Sequence, residues 1–217
     1  MGMLRNVAGA SALAVGFAMA AGASAGVITY PNAGTENMAT YTFLSTGAGD
    51  ITAYFVGESA GLDENIGLYI DGVSTGITGL FNHGSPVGSS VVLGTATGVG
   101  QVLTFVMYIP PASGNPLPDP TWWSDATRNS DLAQHIYSTA VTAGQAYLNS
   151  PAGTYIGWED LPKSSADFDY NDDQYIFTGV TASAPEASTW AMLLAGFSGL
   201  GFAAFRRSRR TSVSALA

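Results

Sequence analysis

The sequence predicts an all-β protein: an antiparallel β-sandwich or jelly-roll-like body with a targeting segment at each end. Three observations carry this. Residues 26–184 hold 20 Gly and 9 Pro, and both residues oppose long helices, Gly through backbone entropy and Pro through its missing N–H and its clash with the preceding turn. Short runs rich in β-branched and aromatic residues recur through this stretch, and Gly, Asn, Asp and Pro punctuate the gaps at the spacing of a sandwich. No internal repeat of about 20–50 residues appears, which argues against a solenoid or propeller. Periodicity alone does not separate a sandwich from a jelly roll.

In chain order, residues 1–25 come first. Arg5 precedes an uncharged run of Ala, Val, Leu and Phe that ends in Ala23-Ser24-Ala25. This is the basic, apolar and small-residue sequence of a secretory signal peptide, with Ala23 and Ala25 at the cleavage site and Gly26 first in the mature chain. The body then offers strands at 39–44 (ATYTFL), 51–56 (ITAYFV), 67–70 (GLYI), 90–93 (SVVL), 102–109 (VLTFVMYI), 136–142 (IYSTAVT), 154–158 (TYIGW) and 174–180 (QYIFTGV). Apolar and polar residues alternate in ATYTF and IYSTAV, as a half-buried strand requires. Residues 110–120 (PPASGNPLPDP) read as a long surface loop, and 182–186 as the linker out of the body. Residues 187–205 are uncharged and just long enough to form a transmembrane helix. Trp190 sits at its outer edge, and Arg206, Arg207, Arg209 and Arg210 follow it, which places the body outside and the tail inside.

The charge follows the same division. The chain of 217 residues has a formal charge of −9, and its length suits one domain plus targeting segments. Between residues 26 and 184 only Arg128 and Lys163 oppose fifteen acidic residues. That balance excludes nucleic acid as a partner of the body, since phosphate binding needs a basic face. The absence of cysteine excludes disulfides, thiol catalysis and Cys-ligated metals.

The acidity is densest at Trp158-Glu159-Asp160-Leu161-Pro162 and Asp167-Phe168-Asp169-Tyr170-Asn171-Asp172-Asp173. Asp167, Asp169 and Asn171 stand at i, i+2 and i+4, the opening of a calcium loop in which alternate oxygens converge on a hard cation. It is no EF-hand: Asp172 occupies the place of the turn glycine and Thr178 that of the final Glu. Two readings remain open. One is a Ca²⁺ site built by Asp167, Asp169, Asn171 and Asp173, with Glu159 and Asp160 contributing. The other is a solvated acidic turn. Phe168 and Tyr170, alternating with the acids, predict a strand edge.

Other chemistry is thinly supported. His83 and His135 are the two histidines, and ordinary hydrogen-bonding roles suit them better than a shared zinc or proton-transfer site. No G-x-S-x-G elbow nominates a nucleophile. Glu159 and Asp160 are adjacent, so on a strand they would face opposite ways, a poor pair for glycoside hydrolysis. Trp122 and Trp123 are possible glycan contacts, with core packing the competing reading. A non-enzymatic role is expected, with a carbohydrate-binding module acting on exopolysaccharide and a surface hydrolase as the alternatives.

Two resemblances bear on this. Pro185-Glu186, Trp190-Ala191, the apolar Gly-rich span and the terminal Arg cluster resemble the PEP-CTERM sorting signal of the Trp-Ala type, over residues 185–210. Ala187 stands where that motif has its second Pro, and 211–217 follow the Arg cluster. The resemblance implies a transient inner-membrane anchor, cleavage by an exosortase-like membrane protease, and release to the cell surface or extracellular matrix of an exopolysaccharide-producing bacterium. Residues 158–162 and the D-x-D-Y-N-D run at 167–172 resemble the C-terminal signature of the bacterial domain of unknown function numbered 4114. Phe81-Asn82-His83-Gly84, Arg128-Asn129-Ser130-Asp131 and His135 are similar to further motifs of such domains. That resemblance implies a β-sandwich with calcium and no defined activity.

Overall fold

The computed structural model describes residues 28–110, 121–183 and 197–198. The expectations for the signal peptide (Ala23, Ala25, Gly26), for the sorting segment (Pro185, Glu186, Trp190, Arg206, Arg207, Arg209, Arg210) and for 111–120 lie outside these residues. Phe197 and Ser198, within the expected membrane span, are helical. Among the described residues no helix is long and apolar enough to cross a membrane.

The body is all-β and antiparallel. Its strands are β1 (Thr42–Ser45), β2 (Gly49–Glu58), β3 (Asn65–Ile70), β4 (Val73–Gly79), β5 (Ser90–Ala96), β6 (Val102–Tyr108), β7 (Thr121–Trp123), β8 (Ile136–Val141), β9 (Gly153–Trp158), β10 (Asp173–Thr178) and β11 (Val180–Ser183). One sheet runs β11-β1-β6-β3-β4, with β7 also paired to β6. The other runs β5-β2-β10-β9-β8.

Alternation explains how the two sheets meet. In β2, Ile51, Ala53 and Phe55 are buried while the residues between them are partly exposed. From the first sheet, Phe43, Leu68, Leu103 and Phe105 join Ile51, Ala53, Ile156, Tyr175 and Phe177 of the second in one core. The Phe105 and Phe177 rings lie 4.1 Å apart between centroids. β9 and β10 depart from alternation and are buried along nearly their whole length. The reason is a second cluster on the outer face of their sheet, where Val141, Tyr155 and Ile176 are covered by Ile28, Tyr54, Tyr137 and Tyr147.

Several boundaries differ from the sequence expectation. β1 begins at Thr42 rather than 39, while β2 and β5 run further than 51–56 and 90–93. β4 and β7 were not expected: β4 (VSTGITG) is mostly exposed, and β7 has three residues. The run 174–180 is two strands in different sheets. Gly179 turns the chain between them at φ +78°, and a Cβ there would stand 2.8 Å from the Asp50 carbonyl oxygen. Residues 182–183, expected in a linker, complete β11 against β1, with Thr42 opposite Ser183.

Candidate metal centre

Antiparallel pairing brings the acids together. β9 ends at Trp158 and β10 begins at Asp173, and these two residues are register partners. Glu159 and Asp160 therefore leave one strand where Asp172 and Asp173 enter the next. Glu64 arrives from the other sheet, immediately before β3. Glu64 and Asp173 are 0% exposed, Glu159 1% and Asp160 3%, and Asp172 is partly buried. One carboxylate oxygen each from Glu159, Asp160 and Asp172 lie within 4.8 Å of one another. Like charges this close and this dry repel strongly unless a cation or protons neutralise them.

Backbone donors satisfy part of the group. Glu159 accepts from Phe168 N at 2.8 Å and Leu161 N at 3.3 Å. Asp172 accepts from Asp160 N at 2.8 Å. Glu64 is different, since neither of its carboxylate oxygens has a donor. Its neighbours are the Asp160 and Asp173 carboxyls, which accept rather than donate when ionised. One oxygen of Asp173 is likewise without a partner. The other lies 3.0 Å from the Tyr175 hydroxyl, which is also 3.0 Å from the Leu80 carbonyl and has one proton for the two.

The electrostatics follow from this geometry. Burial first, then the Asp172 charge, pushes Glu159 up to about 8. Burial first, then Asp160, pushes Asp172 up to about 7. Desolvation also raises Asp160, Asp173 and Glu64, with Asp173 the next contributor at Glu64. In the absence of a cation these groups hold protons that exposed carboxyls would release.

The scaffold fixes each carboxylate through its own backbone. The Trp122 indole N–H donates to the Asp160 carbonyl at 2.5 Å, and its ring stacks on His135 at 3.8 Å and 7°. His135 Nδ1 lies 2.8 Å from the Glu159 carbonyl, and its Nε2 3.1 Å from Asp131. Glu159 N donates back to the His135 carbonyl at 3.0 Å. Opposite, Asn82 holds Glu64: its Oδ1 accepts from Glu64 N at 3.0 Å and its Nδ2 donates to the Leu62 carbonyl at 2.8 Å. The segment 168–170 crosses over Gly157, where any Cβ would collide with the Tyr170 carbonyl oxygen.

Of the ligands expected from sequence, Glu159, Asp160 and Asp173 belong to the buried group. Asp167, Asp169 and Asn171 instead build successive side-chain-to-backbone turns: Asp167 accepts from Asp169 N at 3.2 Å, and Asp169 from Asn171 N at 3.1 Å. The expected strand edge there is corrected. Residues 164–172 are not a strand, and Phe168 (φ 54°) and Tyr170 (φ 56°) take the left-handed conformation that breaks two-fold alternation. The expected opposition of Glu159 and Asp160 is corrected too, because β9 ends before them and both enter one group. Asp172 and Glu64 join this group without being among the candidates the sequence offers. Asp172 was visible inside the acidic run, whereas nothing near Glu64 marked it.

The glycan contacts are corrected in part. Trp122 is 1% exposed, so its face is not available to a sugar. Trp123 is partly buried, with the Arg128 guanidinium 3.3 Å above its ring and Tyr69 beside it at 5.1 Å. His83 and His135 have separate partners: His83 meets Asp63 at 2.7 Å and the Ala60 carbonyl at 3.1 Å. A cleft of about 230 Å³ between β1 and Ser124-Asp125 is lined by none of the clustered carboxylates. In comparisons with known proteins, the chain matches no family model, no curated protein and no solved structure.

Proposed function

We propose that this is an exported, non-enzymatic cell-surface or extracellular-matrix protein whose β-body is stabilised by Ca²⁺. The observation that supports the reading is the trio Glu159, Asp160 and Asp172, with one carboxylate oxygen of each within 4.8 Å of the others, and buried Glu64 and Asp173 beside it. Among the described residues no Lys or Arg forms an ion pair with any of them. An all-oxygen, carboxylate-rich donor set suits a hard cation, and its crowded, irregular form suits Ca²⁺ better than the strict octahedron of Mg²⁺. Glu159, Asp160 and Asp172 form the compact part of the site.

The same reading takes residues 1–25 as a cleaved signal peptide, residues 26–184 as a sandwich of jelly-roll type, and residues 185–210 as a PEP-CTERM-like anchor with its membrane helix at 187–205. An exosortase-like protease is the processing partner and exopolysaccharide the surrounding matrix. Export fits calcium use, because the ion is abundant outside the cell.

Thermal melting followed by circular dichroism tests the calcium reading. EDTA lowers the melting temperature and Ca²⁺ restores it, by about 5–10 °C at a hundredfold excess over Kd, while equal Mg²⁺ restores less. A melting temperature indifferent to EDTA and Ca²⁺ overturns it.

A further inference from the structure

We propose that Glu64 is a direct ligand of the cation, so that a single ion ties the two sheets together. This rests on the calcium reading above and specifies how the site acts. Glu159, Asp160, Asp172 and Asp173 all come from the β9–β10 connection of the five-stranded sheet, whereas Glu64 opens β3 of the six-stranded sheet. An ion held by the first four alone staples a loop to its own sheet. An ion that also takes Glu64 joins the two layers.

The independent observation is Glu64 itself. It is 0% exposed, and both of its oxygens lack a hydrogen-bond donor. A carboxylate removed from water without a donor is among the least favourable groups in a protein interior. The carboxyls beside it, Asp160 and Asp173, are themselves anionic and cannot compensate it when ionised. A cation held between Glu64 and Asp160, which also belongs to the compact trio with Glu159 and Asp172, compensates this charge. The backbone leaves the side chain little room to escape, because Asn82 accepts from Glu64 N at 3.0 Å and Asn82 N donates to the Glu64 carbonyl at 3.2 Å. The Asn82–Gly84 3₁₀ turn thus positions a ligand rather than forming a site of its own.

Terbium luminescence supplies the readout. Tb³⁺ replaces Ca²⁺ at oxygen-rich sites, and Trp122, bonded to the Asp160 carbonyl, lies close enough to sensitise it. Ca²⁺ competition in the full chain gives the affinity. Glu64→Gln keeps the shape and removes one charge, so Ca²⁺ affinity falls at least about tenfold, since charge count sets affinity in such sites. Asp63→Asn removes the same charge from the exposed neighbouring position and leaves affinity unchanged. Stability separates by condition: in EDTA, where Glu64 holds a proton and Gln is close to its isostere, Glu64→Gln melts near the wild type, and in Ca²⁺ it melts lower, because a ligand is lost. A purely packing role lowers both alike.

Absence of Tb³⁺ and Ca²⁺ binding in the wild type overturns the calcium reading, and this assignment with it. Wild-type Ca²⁺ affinity in Glu64→Gln overturns the assignment alone. If Glu64→Gln does not fold, Glu64→Asp decides: it keeps the charge but withdraws it by one methylene, and wild-type Ca²⁺ affinity there also overturns the proposal.

Discussion

Trp122 shows how far a single donor reaches. Its indole N–H meets the Asp160 carbonyl and its ring covers His135, which in turn holds the Glu159 carbonyl. Trp122→Phe removes the N–H and part of the ring, leaving a buried carbonyl unsatisfied and a small void. Urea unfolding is expected to show a loss of about 2–4 kcal/mol. The same residue marks what sequence could convey. A tryptophan beside a Pro-rich stretch looks equally suited to a sugar platform and to a core, and only its partners, distant along the chain, decide. That Glu159, Asp160 and Asp173 belong to one acidic group was legible because they crowd into one short run. Glu64 was not, because its relation to them is created by the packing of two sheets.

Among the elements, the β9–β10 connection shows a backbone constraint acting on the site. Tyr170 is buried, its hydroxyl donating to the Gln134 carbonyl at 3.0 Å and accepting from Asn37 N at 2.8 Å. This holds the 168–170 segment down on β9, where Gly157 leaves room for it. Gly157→Ala is expected to destabilise the fold by about 1–3 kcal/mol through overpacking. Because Asp172 moves with the displaced segment, Ca²⁺ affinity in a titration falls as well. The all-β class and most strands were legible from short apolar runs with turn residues between them. The missed elements have physical reasons. β4 is exposed and built of small residues, so it lacks an apolar face to read. β7 is too short to show a period. β10 and β11 are separated by the single residue Gly179, so the sequence reads as one strand-like segment, and the switch of sheets there is a matter of backbone geometry.

For the whole molecule, the buried acids couple stability to pH. In the calcium-free protein the clustered carboxyls titrate above their unfolded values of about 4, with Glu159 at about 8 and Asp172 at about 7. The folded state therefore binds more protons than the unfolded one. The resulting stabilisation is present at acid pH and is lost as pH rises through about 7–8. With EDTA present, the protein is expected to be more stable at pH 5 than at pH 9 by about 2 kcal/mol or more, measured by urea unfolding at each pH. Saturating Ca²⁺ removes most of that difference, because deprotonated carboxylates are then the bound form. Equal stability at the two pH values in EDTA contradicts it.

The pairing of β1 with β11 sets Thr42 directly opposite Ser183. The chain thus enters its first strand and leaves its last at the same end of the six-stranded sheet. By the antiparallel registers of β1, β6 and β3, this is also the end where Glu64 stands. Tension applied between these two points peels the four register pairs of β1 and β11 apart one after another instead of shearing them together. Such a ladder yields at low force. An ion bridging the sheets at that same end, two strands across at β3, would hold the layers together after this ladder parts, a second latch whose strength follows the calcium of the surroundings.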